Sequence, residues 1–278
     1  MNKVKHITVT NSYLSQFKTC NAKGNFIYHD LYSDKQSPAL LFGIRFHEEA
    51  ARFYRNQGRK WQSYPSPVKY SEEHFSTIMA NYVKNYADEP SEVSMVEQTI
   101  VVKLSDRVSY KGTIDIATKS GVVRDHKTTG YVANWAKENL EPSMQLMGYC
   151  WLYAQATGQW PSAYEIDLIS TDPKDIDKGK LFSRLAVDVE PELLDDWKKE
   201  TLFFVEQTVI PTIEHGIYTR SGAPKTCNEW GGCPFKPVCT RPLSYQPEIL
   251  ASFLKSSNNS EKIFVEFADA LPMLSSKL

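Results

Sequence analysis

The sequence of 278 residues lacks long apolar segments, an excess of charge of either sign and a dense set of cysteines. No run approaches the roughly 18 to 20 apolar residues that a membrane-spanning helix requires, and residues 1–10 contain no apolar core of signal-peptide length. We therefore expect a cytoplasmic protein with no membrane partner. Because 32 basic residues balance 33 acidic ones, the net charge of −1 argues against coating of DNA by charge alone but is compatible with a local basic groove.

The small numbers of cysteine, glycine and proline residues exclude further classes of protein. Five cysteines are too few for a disulfide scaffold in a chain of this length, and a reducing cytoplasm disfavours disulfides. With 13 glycines and 15 prolines the chain is not collagen-like, and 41% of its residues are hydrophobic. This is the composition of a globular protein with a substantial core.

Hydrophobic periodicity predicts a sheet with helices before and after it in the chain. Helical spacing covers residues 12–20, 39–57, 72–86, 143–157 and 190–214. In the second of these helices Leu41, Ile44, Ala51 and Phe53 are expected to be buried. Segments rich in β-branched residues predict strands at residues 95–104, 108–118, 121–127, 164–170 and 181–187, of which the first three form a meander. This order predicts an α/β or α+β core with a helical N-terminal region folded over it.

Two acidic residues and a lysine occupy neighbouring predicted strands. Asp125 and Lys127 are separated by one residue, so their side chains point to the same face of the strand, and that of His126 points to the other. Asp115 lies on the preceding strand, where it can share a divalent cation with Asp125, because hard cations prefer oxygen ligands. A lysine beside such a pair is well placed to hold an attacking water or a phosphate oxygen. The competing interpretation is an exposed Asp-x-Lys pair on an ordinary strand, and a single histidine such as His47 is more often structural.

Three cysteines follow one another late in the chain, with five residues between each and the next. They are Cys227, Cys233 and Cys239, and Cys20 is the candidate for the fourth thiolate of a tetrahedral set. Cys150 lies in an apolar predicted helix and is expected to be a small buried hydrophobic residue. Zinc is the alternative to an iron–sulfur cluster, but structural zinc sites usually take cysteines in pairs about two to four residues apart, and the chain has no such pair.

Four short motifs follow one another in order within residues 12–240. They are Gly43-x-x-x-His47, Gly112-x-x-Asp115, Asp125-x-Lys127 and Gln145-x-x-x-Tyr149. In this order the motifs resemble the RecB-like branch of the PD-(D/E)xK nuclease superfamily. They are similar in particular to the iron–sulfur exonucleases of CRISPR adaptation modules and to AddAB-type nuclease domains. The resemblance implies a restriction-endonuclease-like fold, in which a mixed central sheet is flanked by helices and a helical cap region is stapled by an iron–sulfur cluster.

The resemblance also implies a set of metal ligands. His47, Asp115, Asp125 and the backbone carbonyl of His126 would hold Mg²⁺ or Mn²⁺. The cysteines at positions 20, 227, 233 and 239 would hold a structural [4Fe-4S] cluster.

The remaining motif residues receive catalytic roles from the same resemblance, alongside Asp115 and Asp125. Lys127 would orient the attacking water and help to activate it. Gln145 and Tyr149 are one helical turn apart and therefore on one face, from which they would position the scissile strand or support the metal ligands.

The function that these residues predict is a metal-dependent DNA exonuclease that acts on single strands or DNA ends. One alternative is a DNA-end-binding or assembly subunit that keeps the fold and the cluster but does not catalyse. A second is a zinc-stapled interaction protein with an incidental Asp-x-Lys pair. The sequence has no Gly-x-x-x-x-Gly-Lys-Ser/Thr motif, so a helicase would have to be a partner protein, as would components of CRISPR adaptation or recombination.

We predict one elaborated nuclease domain over residues 1–245 and a C-terminal tail over residues 246–278. Within the domain, a helical region covers residues 1–90, the catalytic sheet covers residues 91–190, and a helix with the cysteine segment covers residues 191–245. Four cysteines that join the two ends of the region favour one domain over two.

Overall fold

A computed structural model describes residues 6–28, 37–130, 132, 144–216, 218–221, 224–228, 232–241 and 248–249 of the chain. The chain divides into two compact units. The sheet unit comprises residues 36–102 and 111–199, and the cysteine unit comprises residues 1–35, 103–110 and 200–278. The single domain over residues 1–245 stays a prediction, and so does the tail, because nearly all of it lies outside the described residues.

The elements, in chain order, mix helices and strands as the sequence predicts. They are β1 (Ile7–Val9), α1 (Asn11–Thr19), α2 (Asn21–Tyr28), α3 (Pro38–Tyr54), α4 (Glu72–Asn85), a 3₁₀ turn (Glu89–Glu92), β2 (Val93–Lys103), β3 (Val108–Thr118), β4 (Val122–Thr129), α5 (Met144–Thr157), β5 (Ala163–Ser170), α6 (Pro173–Asp177), β6 (Phe182–Val187), α7 (Pro191–Phe204), a π-helical turn (Val205–Val209), α8 (Ile210–His215), α9 (Pro224–Asn228) and α10 (Lys236–Cys239).

The sheet unit is built on a mixed sheet in which β4 is an interior strand. β2 pairs with β3, and β3 pairs antiparallel with β4, where Ile116 faces Arg124. β4 pairs in parallel with β5, where Asp125 faces Ile166, and β5 pairs antiparallel with β6. The parallel pair requires a crossover connection, and the segment between β4 and β5 contains α5. Both neighbours of β4 therefore fix the positions of its residues.

Two helices with side-chain caps bury an aromatic core in this unit. Ser37 accepts the N–H of Leu40 at the start of α3, and Ser71 accepts the N–H of His74 at the start of α4, which satisfies donors that a helix leaves unpaired. The core contains side chains from α3, α4, β3 and β5: Phe42, Phe46, Ala50, Tyr54, Phe75, Ile78, Met79, Tyr82, Ile116 and Ile169. This core attaches α3 and α4 to the sheet.

The predicted buried face of α3 is wrong in part. Leu41 and Ile44 are 50% and 45% exposed, whereas Phe42 and Phe46 are buried. The helix has apolar residues on more than one side, so periodicity alone could not decide which side packs, and the larger aromatic side chains take the core. Ile44 instead shares a side of the helix with His47, three residues later.

A buried network of charges ties the 3₁₀ turn to β4, β5 and β6. Arg184 donates to Asp167 Oδ1 at 2.6 Å and to Glu89 Oε1 at 2.6 Å, and Arg124 donates to Glu89 Oε2 at 2.8 Å and to Glu165 Oε2 at 2.8 Å. Burial alone would raise the pKa of Glu89, but the hydrogen bonds and charges of the two arginines lower it. Glu89 is therefore ionised at neutral pH and can only accept hydrogen bonds.

The cysteine unit has its own small apolar core. β1 pairs in parallel with the first residues of β3, with Ile7 opposite Val108. Ala22, Phe26, Phe235 and Val238 form the core, and Cys20, Cys233 and Cys239 pack against it. The long helix predicted at residues 190–214 is interrupted by the π-helical turn. No described helix is both long enough and apolar enough to cross a membrane.

Candidate active site

Asp125 and Lys127 lie side by side on β4, as alternation along a strand predicts. Lys127 Nζ is 3.0 Å from Asp125 Oδ1 and 2.7 Å from Oδ2, and the contact with Oδ1 has hydrogen-bond geometry. Oδ2 is buried and accepts no hydrogen bond from any described residue. A buried carboxylate needs positive charge nearby, and the Lys127 ammonium, within 3.0 Å of both oxygens, supplies it.

Asp115 joins this pair through the backbone of the neighbouring strand. Its Oδ2 accepts the N–H of His126 at 2.8 Å, and His47 Nδ1 on α3 lies 3.3 Å from the same oxygen. Burial would raise the pKa of Asp115, but its hydrogen bonds with His126 and His47 and the charge of His47 hold it well below its usual range. The pKa of Asp125 is raised, first by burial and then by the charge of Asp115. The two carboxylates therefore have opposite tendencies in the absence of a cation.

Glu97 is a site residue that the sequence analysis missed. Its Oε1 lies 3.5 Å from His47 Nδ1, and its φ of 47° is a left-handed value for a non-glycine residue within β2. Arg55 donates to the carbonyl of the preceding residue, Val96, at 2.9 Å. Burial would lower the pKa of His47, but hydrogen bonds to Asp115 and Glu97 raise it to about 10. The sequence signal for Glu97 is a glutamate within a strand rich in β-branched residues. That signal does not reveal the left-handed backbone conformation of this residue.

α5 brings Gln145 and Tyr149 to the same carboxylate. Gln145 Nε2 donates to Tyr149 Oη at 3.0 Å and lies 3.4 Å from Asp125 Oδ1. Burial and the charge of Asp125 raise the pKa of Tyr149, so its hydroxyl remains protonated and can donate. The predicted catalytic residues therefore lie around Asp125 on β4, and their catalytic roles stay predictions.

The donor atoms fit a divalent cation. One nitrogen each of His47 and His126 and one oxygen of Asp115 lie within 4.8 Å of one another, and Asp125, which is paired with Lys127, adds a second buried carboxylate. Nitrogen and carboxylate oxygen together suit Mn²⁺ and related cations, and carboxylates suit Mg²⁺. The resemblance implies the backbone carbonyl of His126 as a ligand, which stays a prediction, and a ring nitrogen of the same residue lies among the donor atoms.

A cavity of about 800 Å³ along α3 leads to His47. Leu40 and Ile44 line it from the first turns of the helix, and Arg52 and Arg55 line it from the end of the helix. The cavity therefore combines an apolar surface from residues before His47 with two arginines after it, and Glu48 and Glu97 also line it.

The glycines of the first two motifs allow close packing at the site. A Cβ at Gly43 would lie 3.1 Å from Thr128 Oγ1, so glycine lets α3 approach the end of β4. A Cβ at Gly112 would lie 2.6 Å from Leu152 Cδ1 and 3.0 Å from Tyr149 Cε1. Close packing therefore explains a glycine at each of these two positions without any role in catalysis.

Gly112→Ala is expected to lower the free energy of unfolding by about 1–3 kcal/mol, because the added methyl overpacks buried Leu152. Urea denaturation measures this loss. Gly130→Ala is the control, since its Cβ would approach only the flexible end of Lys69 at 3.3 Å. Equal stability of the two variants would contradict the packing argument.

The four predicted cluster cysteines belong to the cysteine unit. Cys20 Sγ accepts the N–H of Ser221 at 3.4 Å, and the N–H of Cys233 donates to the carbonyl of Cys227 at 2.9 Å. The pKa of Cys239 is raised to about 11, first by burial and then by the charges of Cys20, Cys233 and Cys227. Within the described residues, no three cysteine sulfurs lie within 4.8 Å of one another, as ligands of one zinc ion would. Cys150 is fully buried, as expected.

Comparison with known proteins gives one family. The model of the PD-(D/E)XK nuclease superfamily matches residues 8–240. An Eubacterium rectale protein whose structure is described as a candidate exonuclease is 14% identical, with a TM-score of 0.51 over 81% of this chain and 86% of that one. This likeness supports the mixed α/β fold. No curated protein matches the chain.

Two further solved structures share less of the geometry. An alkaline exonuclease from Laribacter hongkongensis is 10% identical, with a TM-score of 0.37 over 77% of this chain and 94% of that one. A phage-related exonuclease from Haemophilus somnus is 15% identical, with a TM-score of 0.37 over 76% of this chain and 97% of that one. The family match covers most of the chain and includes every motif residue described above. The chain therefore belongs to the PD-(D/E)XK nuclease superfamily, whose members use divalent metals.

Proposed function

We propose that this chain is a metal-dependent DNA exonuclease that hydrolyses phosphodiester bonds in single-stranded DNA or at DNA ends. The observation that carries the proposal is the buried Asp125, whose two oxygens lie 3.0 Å and 2.7 Å from the Lys127 ammonium and whose charge interacts with those of Asp115 and His47. A carboxylate of this kind is suited to a cation and a positioned water, which phosphodiester hydrolysis requires.

His47, Asp115 and Asp125, with His126, would hold Mg²⁺ or Mn²⁺. When bound, the cation neutralises charge on the phosphate and makes a coordinated water more acidic. Lys127 holds the attacking water through its ammonium, whose position is fixed by Asp125. Gln145 and the protonated hydroxyl of Tyr149 donate to phosphate oxygens of the scissile strand and keep it aligned for attack.

The cavity along α3 supports a nucleic-acid substrate next to these residues. Leu40 and Ile44 offer an apolar surface for a base or sugar, and Arg52 and Arg55 offer cations for phosphates. Arg52 also donates to Glu49 at 3.1 Å, so part of its charge is neutralised. A groove of this mixed character favours a single strand, whose bases are accessible, over an intact duplex.

We further propose that Cys20, Cys227, Cys233 and Cys239 hold a structural [4Fe-4S] cluster in a RecB-like member of the superfamily. The packing of Cys20, Cys233 and Cys239 against one apolar core, and the effect of Cys20, Cys233 and Cys227 on the pKa of Cys239, support four cysteines in one region. A cube of four irons holds its thiolates farther apart than a single zinc ion does, so the absence of a closer set in the described chain is compatible with it. A helicase, or proteins of CRISPR adaptation or recombination, would be the partners.

The deciding experiment uses linear single-stranded, linear duplex and circular single-stranded DNA, each labelled, with Mn²⁺ or Mg²⁺. We expect the linear single strand to be degraded fastest, the circle to stay intact and EDTA to stop the reaction. Cleavage of the circle, which has no ends, would show that the protein is an endonuclease and not an exonuclease. A protein that binds DNA ends but is inert with every divalent cation would support the non-catalytic alternative.

A further inference from the structure

His126 points away from Lys127 and lies in an aromatic pocket of the sheet unit. The residue is 1% exposed, and its ring centroid is 5.9 Å from those of Phe46 and Tyr82 and 6.1 Å from that of Tyr54. Its Nε2 lies 2.8 Å from Tyr82 Oη. The ring is therefore packed among aromatic side chains, with one hydrogen bond at Nε2 and the buried carboxylates of Asp167 and Asp115 at 3.8 Å and 3.6 Å from its two nitrogens.

This hydrogen bond is the last link of a chain that begins at Glu89. Tyr54 donates its hydroxyl to Glu89 Oε2 at 2.8 Å, and the hydroxyls of Tyr54 and Tyr82 are 3.1 Å apart. Glu89 is ionised by its contacts with Arg124 and Arg184, so it accepts and cannot donate. The direction of the whole chain is set at this end.

Each tyrosine hydroxyl has one proton and can donate only one hydrogen bond, so the donor at Glu89 fixes the donor of each following hydrogen bond. Because the proton of Tyr54 points to Glu89, the Tyr54–Tyr82 hydrogen bond needs the proton of Tyr82. Tyr82 then has none left for His126, so the link between them needs a proton on His126 Nε2. If Tyr54 donated to Glu89 and Tyr82 donated to His126, the two hydroxyl oxygens would lie 3.1 Å apart without a hydrogen between them. In a buried position an unmade hydrogen bond of this kind is costly.

With the single proton of a neutral imidazole on Nε2, Nδ1 has a lone pair. Nδ1 lies 3.6 Å from Asp115 Oδ2, so the ring nitrogen and the carboxylate oxygen are close enough to share a cation. Asp115 Oδ2 already accepts the backbone N–H of His126. One ring nitrogen each of His126 and His47 and one oxygen of Asp115 thus lie within 4.8 Å of one another.

We propose that His126 Nδ1 is a ligand of the metal centre together with His47 and Asp115, and that Glu89, Tyr54 and Tyr82 are positioning residues that fix the tautomer this requires. The proposal rests on the proposed function and replaces the backbone carbonyl of His126 by its ring. Two imidazoles and carboxylate oxygen form a softer ligand set than carboxylates alone, so the centre prefers Mn²⁺ to Mg²⁺.

The tautomer is measurable without metal or DNA. A two-bond ¹H–¹⁵N spectrum of the full chain, with its six histidines labelled in ¹⁵N, distinguishes a protonated ring nitrogen from an unprotonated one. We expect one histidine whose Nε2 is protonated, whose Nδ1 is not, and whose pattern changes in Tyr82→Phe. Tyr86→Phe is the matched control, because it removes a hydroxyl from the same aromatic core, 4.7 Å away between ring centroids, that is not a link of the chain. A protonated Nδ1 on the Tyr82-sensitive histidine would overturn the proposal.

Metal binding provides the second measurement. In Tyr82→Phe we expect the affinity for Mn²⁺, measured by isothermal titration calorimetry, to fall by about 10-fold to 100-fold, as for other residues that orient a metal-bound histidine. The preference for Mn²⁺ over Mg²⁺ should shrink in parallel, whereas Tyr86→Phe should bind both metals as the wild type does. Unchanged Mn²⁺ affinity in Tyr82→Phe would contradict the role of the chain.

The outcome can be separated from that of the proposed function. If the wild type degrades DNA but His126 has its proton on Nδ1, the proposed nuclease function is supported and the assignment of His126 Nδ1 as a ligand is contradicted. If it has the expected tautomer and binds Mn²⁺ but degrades no DNA, the ligand assignment stands and the exonuclease falls.

Discussion

Asp125→Asn is expected to lower kcat/KM for DNA hydrolysis by about 10³-fold or more, equivalent to about 4 kcal/mol of transition-state stabilisation. The substitution keeps the size of the side chain but removes its negative charge and turns one oxygen into an amide. Because Asp125 Oδ2 lies 2.7 Å from the Lys127 ammonium, an amide N–H there would face that ammonium and the proposed cation instead of an anionic oxygen. Mn²⁺ binding should weaken in the same variant, which calorimetry measures beside the activity.

Lys127→Met separates the handling of water from the binding of metal. Methionine keeps much of the apolar stem of lysine without the ammonium, so we expect a decrease in kcat of about 10²-fold to 10³-fold, the size seen when one electrostatic stabiliser is removed. Mn²⁺ affinity should be maintained or rise, because a cation 2.7 Å from Asp125 has been removed.

Asp196→Asn serves as the control for both variants. Asp196 is an exposed carboxylate on α7 that contacts Lys199, so its loss should leave hydrolysis within about twofold of the wild type. Activity of Asp125→Asn within severalfold of the wild type would mean that hydrolysis takes place elsewhere in the chain.

The placement of Asp125 and Lys127 could be predicted because it depends on a local rule. Side chains two residues apart on a strand share a face, and a gap of three residues between two strands fixes a hairpin. The helical spacing of Gln145 and Tyr149 is equally local. For Asp115 and Asp125, the sequence indicates adjacent strands, and the antiparallel pairing of β3 and β4 brings the two carboxylates together.

What the sequence could not supply depends on contacts between distant segments. Glu97 reaches His47 through a single left-handed residue, which no pattern of hydrophobicity encodes. Leu41 and Ile44 were expected in the core because both sides of α3 contain apolar residues, and only the packing of Phe42 and Phe46 against the sheet decides between them. The direction of the hydrogen bonds from Glu89 to His126 depends on two arginines on other strands.

Short elements were missed for a different reason. β1 has three residues, too few for alternation to be distinguished from chance, and its pairing with Val108 to Tyr110 stabilises it. α2 follows α1 after a single residue, Cys20, and its mixed apolar and polar sequence has little periodicity. In both cases tertiary contacts, and not intrinsic preference, determine the structure.

Cys239→Ser is expected to remove the iron of the anaerobically purified protein and to lower its melting temperature by about 10 °C. The wild type should contain about four iron atoms per chain and be brown, as proteins with thiolate-bound clusters are. A cluster that joins Cys20 to Cys227 closes a loop of about 200 residues, and a constraint of that length contributes roughly 5 kcal/mol, or about 10 °C for a protein of this size. Iron analysis, the visible spectrum and calorimetry measure the three quantities.

Cys150→Ala is the matched control, because it removes a thiol that is fully buried in α5 of the sheet unit and is not one of the four proposed ligands. We expect it to keep the iron and the colour. Nuclease activity per folded chain separates a structural cluster from a catalytic one: if the cluster is structural, Cys239→Ser should retain measurable hydrolysis at low temperature, because every predicted catalytic residue belongs to the sheet unit. Zinc in place of iron in the anaerobic wild type, or full stability of Cys239→Ser, would contradict the cluster.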